Sequence, residues 1–364
     1  MTHFFEEKTA EALSLGNRGP LEIDGDSNVR KEILDKYWDL GFYVFENVIK
    51  PDEMAELKRE FKDLLARTPS GRLSDVDCQG RPLPFDEEER KLFRFVKPLS
   101  DPYGGTDTSN SRYQVKIKEP PLPEDAPKEV LLQIGGIMQF MTSSLRVYGH
   151  RDLLAVAAAV NGEDFTPFTE VIWLKQPRVG AAVSWHQDGT THWDNPELDE
   201  GTHGFNFMLN LYETIAENSL WVVPGTHKQG KADIKSMLAD SSSEHLEGAV
   251  PLLCKPGDVA IVNRQIVHGS FPNQSEQPRY TFVFGFHRRA SVAGVQGWAQ
   301  QPFSEQYLNQ TSQLIPLAIA ARAAKYPRET PYTYQPLLDS DAIGWDEISK
   351  EKILKHYHKR FIGI

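Results

Sequence analysis

The second half of the chain consists of short apolar segments separated by turn residues, which is the pattern of a β-sheet protein. Apolar runs or period-two alternation, both typical of strands, recur over 170–176, 181–187, 204–213, 219–223, 258–263, 266–271 and 279–287. The glycines of Pro224-Gly225 and Pro256-Gly257 are expected to adopt positive φ in turns. Segments of this length and spacing predict a mainly β fold with flanking helices (α+β) around a double-stranded β-helix, the jelly-roll or cupin-like core.

Helical periodicity predominates elsewhere in the chain. It predicts helices over 29–41, 51–67, 127–161, 303–327 and 344–360. The second of these begins with Pro51, followed by Asp52 and Glu53 in its first turn, as is typical of helix N-termini. A short strand is expected at Phe42-Tyr43-Val44-Phe45.

Three boundaries divide the chain in this interpretation. Residues 1–28 are expected to form a polar leader, 29–300 one main domain, and 301–364 a C-terminal helical extension. Within the main domain, 68–126 is rich in Pro, Gly, Asp and Arg and is typical of an inserted loop region, in which 112–117 alternates like a strand. A loop of this length usually serves as a lid or a binding loop.

Composition excludes several classes of protein. The 364 residues are 40% hydrophobic and 25% charged, as in ordinary globular proteins. The net charge of −11 argues against nucleic acid or an anionic membrane as the main partner. The two cysteines, Cys78 and Cys254, form no disulfide framework, which favours the cytoplasm. The start of the chain does not resemble a signal peptide, and no window reaches the roughly 18 apolar residues of a membrane span.

Two histidines and one carboxylate form the candidate metal site. His186 and Asp188 are separated by one residue, and His268 follows 80 residues after Asp188. Side chains at i and i+2 of a strand point the same way, so His186 and Asp188 can bind the same metal ion. His268 would then come from another strand. Such a triad leaves coordination positions open and is typical of non-haem Fe(II) oxygenases.

Arg279 is the candidate anion-binding residue. It lies eleven residues after His268, at the start of the apolar 279–287 segment. A guanidinium there can hold a carboxylate in a bidentate manner, which lysine cannot do. The alternative is an exposed strand-end arginine paired with an acid such as Glu276.

The chain resembles the phytanoyl-CoA dioxygenase family of the Fe(II)/2-oxoglutarate-dependent oxygenases. The resemblance runs from about residue 30 to about residue 290. It is carried by Tyr37-Trp38-Asp39-Leu40-Gly41-Phe42-Tyr43-Val44, Trp185-His186-Gln187-Asp188-Gly189, Val223-Pro224-Gly225-Thr226-His227-Lys228, Lys255-Pro256-Gly257-Asp258-Val259 and His268-Gly269-Ser270, followed by Asn273, Ser275 and Arg279.

The resemblance implies a site and a reaction. His186, Asp188 and His268 are expected to bind Fe(II), and Arg279 is expected to bind the distal carboxylate of 2-oxoglutarate, with Ser270 as a second donor. With O2, the cosubstrate would be converted to succinate and CO2 while a C–H bond is hydroxylated or desaturated. Because Asp188 is intact, halogenation is not expected. The net charge slightly disfavours an acyl-CoA substrate unless a local basic patch overrides it.

Other polar and aromatic residues have weaker roles in this interpretation. Trp193 is a candidate substrate wall or a packing residue, and Gln114 a candidate substrate contact. His192 and His203 are expected to be loop histidines or substrate contacts. His227 and Asn210 are expected to make structural hydrogen bonds.

Two other classes of function remain open. A cupin-like binding protein without redox chemistry would keep the fold, but it would be expected to lack a ligand or Arg279. A zinc hydrolase could use the same three ligands, but it leaves Arg279 unexplained and lacks a candidate general base. The favoured function is an oxygenase that acts on a small or medium organic molecule, with a homo-oligomer possible.

Overall fold

Two β-sheets of unequal size form the frame of the protein. The computed structural model describes residues 2–24, 28–106, 112–188, 204–241, 243–295, 303–338 and 342–357. The strands within them are β1 (Arg18–Pro20), β2 (Phe42–Glu46), β3 (Phe93–Val96), β4 (Val130–Gly135), β5 (Thr166–Lys175), β6 (Val183–His186), β7 (Gly204–Asn210), β8 (Trp221–Val223), β9 (Val250–Pro251), β10 (Val259–Asn263), β11 (Val267–Ser270) and β12 (Arg279–His287). The large sheet has the order β1-β2-β10-β7-β12-β5-β4-β3, and the small sheet β6-β11-β8-β9.

All seven strand segments expected in the second half of the chain contain strands, although some are shorter than predicted. They contain β5, β6, β7, β8, β10, β11 and β12. The turn glycines also adopt the expected conformation, with φ of 80° at Gly225 and 98° at Gly257. A Cβ at Gly257 would lie 2.7 Å from the carbonyl oxygen of Ile49, so this turn needs glycine for space as well.

Alternation along β12 separates two apolar cores. Phe282, Phe284 and Phe286 face a core shared with the helices. Val283 faces a second core that also contains Met208 of the large sheet and Val222 of the small sheet. Because neighbouring side chains of a strand point to opposite faces, one sheet serves both cores.

Helices pack on both sheets: most lie on the large sheet, whereas those at 2–14 and 234–239 pack against the small sheet. The helices are Thr2–Ser14, Lys31–Leu40, Pro51–Leu65, Glu87–Arg90, Ile137–Phe140, Thr142–Tyr148, Arg151–Asn161, Ile234–Ala239, Arg289–Val292, Glu305–Ser312, Leu314–Lys325 and Glu347–Tyr357, with 3-10 turns at Thr226–Lys228 and Gln335–Leu337. Among the described residues, no helix combines the length and the apolar character that a membrane crossing requires.

Two predictions in the first half of the chain are wrong. Residues 112–117 do not form a strand, because their backbone bonds elsewhere: the Tyr113 carbonyl accepts from Gly105, and the Ile117 N–H donates to Asp101 Oδ2 at 2.8 Å. The 127–161 segment is not one helix, because 130–135 pairs as β4 between β3 and β5. A short apolar run fits a buried strand or a helix equally well, and here the neighbouring strands decide.

Both ends of the chain pack against the main domain. The segment interpreted as a polar leader contains the 2–14 helix and β1, which pairs in parallel with β2. Residues of the proposed C-terminal extension, among them Leu317, Ala318 and Tyr357, belong to the same core as Phe284. The helices after residue 303 therefore help to bury the large sheet.

Candidate functional site

His186 and His268 are direct partners across the antiparallel pair β6–β11. Their ring centroids lie 4.1 Å apart, and both side chains are buried. Directly opposite residues of antiparallel strands point to the same face. The distant third ligand therefore meets the first through ordinary sheet pairing.

Backbone carbonyls fix the tautomer of both histidines. The Nδ1 atom of His186 lies 2.7 Å from the Ser184 carbonyl oxygen, and that of His268 lies 3.0 Å from the Ile266 carbonyl oxygen. A carbonyl can only accept, so each Nδ1 carries the proton and each Nε2 keeps its lone pair. Burial lowers the pKa of both histidines. Both rings are thus neutral, as metal ligation requires.

Asp188 lies just past the end of β6 and is held from two sides. Its backbone N–H donates to the Arg264 carbonyl oxygen at 2.7 Å, and its Oδ2 accepts from Asn206 Nδ2 at 3.0 Å. Burial alone would raise the pKa of Asp188, but the Arg112 guanidinium beside Oδ1, together with Arg264, holds it below its usual range. The carboxylate is therefore ionised.

Gln187, between the two ligands, points away from them as the i, i+2 argument expects. Its Nε2 donates to the carbonyl oxygens of Gly230 and Gln265 at 2.9 and 2.6 Å, and its Oε1 accepts from the Ala232 N–H. These bonds fix the end of β6 and so the direction of both ligands.

The structure brings together the three predicted ligands. One ligand atom from each of His186, Asp188 and His268 lies within 4.8 Å of the others, and His186 Nε2 is 3.6 Å from Asp188 Oδ1. Two neutral imidazoles and one ionised carboxylate suit a divalent transition metal. The donor set and its spacing therefore fit the expected ion.

The cluster lies in an open cavity between the two sheets, with a volume of about 90 Å³. Alternate residues of two neighbouring strands line its large-sheet wall: Asn206, Met208 and Asn210 of β7, and Arg279, Thr281 and Val283 of β12. Because alternate residues of a strand share a face, these two strands present a mixed polar and apolar surface to the three ligand residues.

Arg279 lines this cavity and is only 5% exposed. Its guanidinium makes no hydrogen bond or ion pair with the part of the chain that the structure describes, and its Nε is fully buried. Burial lowers its pKa to about 10, so it remains charged at neutral pH. The alternative pairing with Glu276 does not occur, since Arg178 approaches that carboxylate.

Ser270 shares the cavity with Arg279. Its Oγ is buried and has no partner among the described residues. The hydroxyl is therefore available to a ligand in the same cavity.

Three cavity residues whose side chains contact the ligand cluster were not anticipated as site residues. Arg112 and Tyr113 come from the inserted loop region, and Asn206 from β7. The alternation of Asn206, Met208 and Asn210 could have identified Asn206. The pattern of 112–117 could not have placed Arg112, because that segment is not a strand.

The proposed substrate contact by Gln114 is not supported. Its Nε2 donates to the Ala232 carbonyl oxygen at 3.0 Å, its Oε1 accepts from the Lys235 N–H, and it does not line the cavity. Trp193, His192 and His203 lie outside the described residues.

Two other polar residues make the structural hydrogen bonds expected of them. His227 Nε2 lies 2.9 Å from the Trp38 carbonyl oxygen, and Asn210 Oδ1 accepts from Thr281 Oγ1 at 2.6 Å.

A buried cluster of two histidines and one carboxylate, open on one side to a cavity between two sheets, is the arrangement of the non-haem Fe(II) oxygenases. The family described as phytanoyl-CoA dioxygenase (PhyH) matches residues 37–281. The chain belongs to this family, and the family resemblance noted in the sequence is confirmed.

Individual relatives are distant. Phytanoyl-CoA dioxygenase 1 from Oryza sativa subsp. japonica is 32% identical over 117 residues, which are 29% of this chain and 39% of that protein. Phytanoyl-CoA dioxygenase domain-containing protein 1 from Bos taurus is 21% identical over 289 residues, 73% of this chain and 93% of that protein. The crystal structure of EctD from S. alaskensis with 2-oxoglutarate and 5-hydroxyectoine has a TM-score of 0.51 at 20% identity, covering 79% of this chain and 85% of that chain. At that identity the likeness establishes the fold alone.

Proposed function

We propose that the protein is an Fe(II)/2-oxoglutarate-dependent dioxygenase that hydroxylates an unactivated C–H bond of a small or medium organic substrate. Desaturation is the variant outcome. Family membership supports the oxygenase class. Within this proposal the two sheets are the halves of a double-stranded β-helix, which the pairing of β6 with β11 and of β7 with β12 supports.

The observation that carries the proposal is the unpaired Arg279 guanidinium in the same cavity as the ligand cluster. A buried cation without a partner is costly, and a ligand carboxylate would offset that cost by a bidentate pair. The Ser270 hydroxyl in the same cavity supports this, because it can donate to the same carboxylate. A dicarboxylic 2-oxo acid with one end at the metal and the other at Arg279 meets both requirements.

Each residue has a definite task in the proposed reaction. His186, Asp188 and His268 would hold Fe(II), which, when bound, supplies the activation of O2 coupled to conversion of 2-oxoglutarate to succinate and CO2. Arg279 and Ser270 would orient the cosubstrate through its distal carboxylate. The apolar residues Trp173, Met208 and Leu252 would limit water around the substrate.

An anaerobic titration of the metal-free protein with Fe(II) and 2-oxoglutarate tests the proposal. A visible charge-transfer absorption should appear only with both components, because it needs a 2-oxo acid chelated to ferrous iron. It should disappear in His268→Ala, which loses one of three ligands. His227→Ala is the matched control, since His227 is also buried but bonds to Trp38 outside the cluster.

The two alternative functions predict other results. A metal-binding protein without redox chemistry would bind Fe(II) but give no charge-transfer absorption with 2-oxoglutarate. A zinc hydrolase would also give no such absorption. The hydrolase is less well supported because Asp188 is the only carboxylate among the described cavity residues, and a ligand cannot also serve as the general base.

The remaining expectations stay part of this proposal. They are a cytoplasmic enzyme with a small-molecule substrate, no nucleic-acid or membrane partner, and a possible homo-oligomer. The net charge of −11 supports the absence of a nucleic-acid or anionic-membrane partner, and the two unpaired cysteines support the cytoplasm.

A further inference from the structure

Arg112 enters the cavity from the inserted loop region and is held in place by aromatic rings. Its guanidinium carbon lies 5.0 Å from the ring centroid of Tyr113. That ring stacks on Tyr103 at 4.8 Å and packs against His186 at 4.8 Å. The ring of Tyr113 therefore lies between the Arg112 guanidinium and the His186 ring of the ligand cluster, and contacts both.

The guanidinium lies beside the atoms that would bind the metal. Its terminal nitrogen bonds to Asp188 Oδ1, the oxygen that is 3.6 Å from His186 Nε2. The Arg112 side chain is only 12% exposed, and its Nε is buried without a partner among the described residues. A group that Arg112 holds would therefore lie close to the reacting centre.

The charges of the described cavity lining do not balance without another anion. The charged residues among its described lining are Arg112, Arg279 and Asp188. A divalent metal and doubly charged 2-oxoglutarate cancel each other, which leaves two guanidiniums against one carboxylate. Much of the remaining lining is apolar, including Trp173, Val183, Leu220 and Leu252, and compensates no charge. One excess positive charge in such a place favours a ligand that carries one negative charge.

We propose that Arg112 binds a carboxylate group of the substrate and thereby selects organic monoanions. Arg279 is the cation for the cosubstrate, and Arg112 is the cation for the substrate, on the side of the cavity that the inserted loop region supplies. The planar guanidinium suits a carboxylate, whereas a phosphate dianion would exceed the single charge available. The inference rests on the proposed function, because the charge balance includes the metal and 2-oxoglutarate.

Calorimetric titration under anaerobic conditions tests it with a matched pair of probes. The protein, loaded with Fe(II) and saturating 2-oxoglutarate, is titrated with 3-phenylpropionate and with its uncharged analogue 3-phenylpropionamide. The wild type should bind the carboxylate at least about tenfold more tightly, since a hydrogen bond to a charged group is worth that much. In Arg112→Gln this preference should disappear, and in Arg112→Lys part of it should remain.

Arg94→Gln is the control variant. The Arg94 guanidinium lies 4.5 Å from the ring of Tyr103, in the same aromatic stack, but Arg94 is exposed and does not line the cavity. This variant should keep the preference of the wild type. Circular dichroism of each variant establishes that it is folded.

Each result decides between the inference and its competitors. Equal affinity of the wild type for the two probes would overturn it, and so would an unchanged preference in Arg112→Gln. If Arg112 merely orients Asp188, the variant should weaken Fe(II) binding and leave the ratio of probe affinities unchanged. A probe that displaced 2-oxoglutarate from Arg279 would abolish the charge-transfer absorption. Failure of the proposed function is distinct, because that absorption would then never form.

Discussion

At the scale of single residues, the buried arginines of this protein differ in what surrounds them. Arg322 pairs with Glu53 at 2.8 Å, Arg264 lies 2.8 Å from His287, and Arg112 pairs with Asp188. Arg279 alone among these four has no polar partner in the described part of the chain. Such a group is expected to be compensated by a ligand, because an isolated buried charge is destabilising.

Replacing Arg279 should therefore weaken 2-oxoglutarate binding selectively. Arg279→Gln removes a bidentate, charge-assisted contact, so the Kd for 2-oxoglutarate should rise by about 10- to 100-fold. The Kd of Arg279→Lys should lie between those of the wild type and Arg279→Gln, since lysine keeps the charge and loses the planar fork. The measurement is the anaerobic titration of the charge-transfer absorption at fixed Fe(II).

The control for Arg279 is Arg178→Gln. Arg178 is half-exposed, pairs with Asp125 and does not line the cavity, so its replacement should leave the Kd unchanged. An unaltered Kd in Arg279→Gln would show that another group binds the distal carboxylate.

At the scale of elements, sequence patterns succeeded where apolar runs are bounded by turn residues and failed where pairing partners decide. The apolar run over 279–287 predicts the extent of β12, and the structure shows that each of its faces meets a different core. The 130–135 segment becomes a strand only through β3 and β5. The ligand cluster was predictable because its spacing follows strand geometry. Arg112 was not, because its position depends on an irregular segment.

The packing of the 314–325 helix depends on a glycine at the end of the 142–148 helix. A Cβ at Gly149 would lie 2.3 Å from the carbonyl oxygen of Ala318, which is backbone and cannot rotate away. Gly149 itself has φ of −86°, so any cost of substitution is steric rather than conformational. The 314–325 helix thus makes close backbone contact with the end of the 142–148 helix.

Gly149→Ala should lower the free energy of unfolding by about 2 kcal/mol or more, as overpacking in a close-packed interior does. Urea unfolding followed by circular dichroism measures it. Gly135→Ala is the control, since its Cβ would meet Leu92 at an ordinary 3.6 Å. Equal stability of the two variants would mean that the 314–325 helix shifts without cost.

At the scale of the whole molecule, two helices from distant parts of the sequence are joined by buried charge. Arg322 of the 314–325 helix pairs with Glu53 of the 51–65 helix at 2.8 Å and with Glu329 at 2.6 Å. It also donates to the Arg146 carbonyl oxygen at 3.3 Å. Distant parts of the sequence therefore share one interior, which makes the stability of the molecule sensitive to the charge of groups buried there.

His150 lies in this interior and should make the whole protein sensitive to acid. Burial, with the positive charges of Arg322 and Lys50, lowers the pKa of His150 to about 3. The unfolded chain binds this proton below about pH 6.5, whereas the folded protein does so only near pH 3. Stability from this group is therefore present above pH 6.5 and is lost as the pH falls toward 3.

His150→Asn isolates this contribution. His150 accepts from the Asp152 N–H as the N-cap of the 151–161 helix, and asparagine can replace that cap without titrating. Between about pH 4 and 6, the difference in unfolding free energy between wild type and variant should change by about 1.4 kcal/mol per pH unit. The wild type should lose more stability than the variant as the pH falls. Both proteins are unfolded in urea without metal, so the acid sensitivity of His186 and His268 cancels. A difference independent of pH would mean that His150 titrates normally in the folded protein and that its surroundings are hydrated rather than closed.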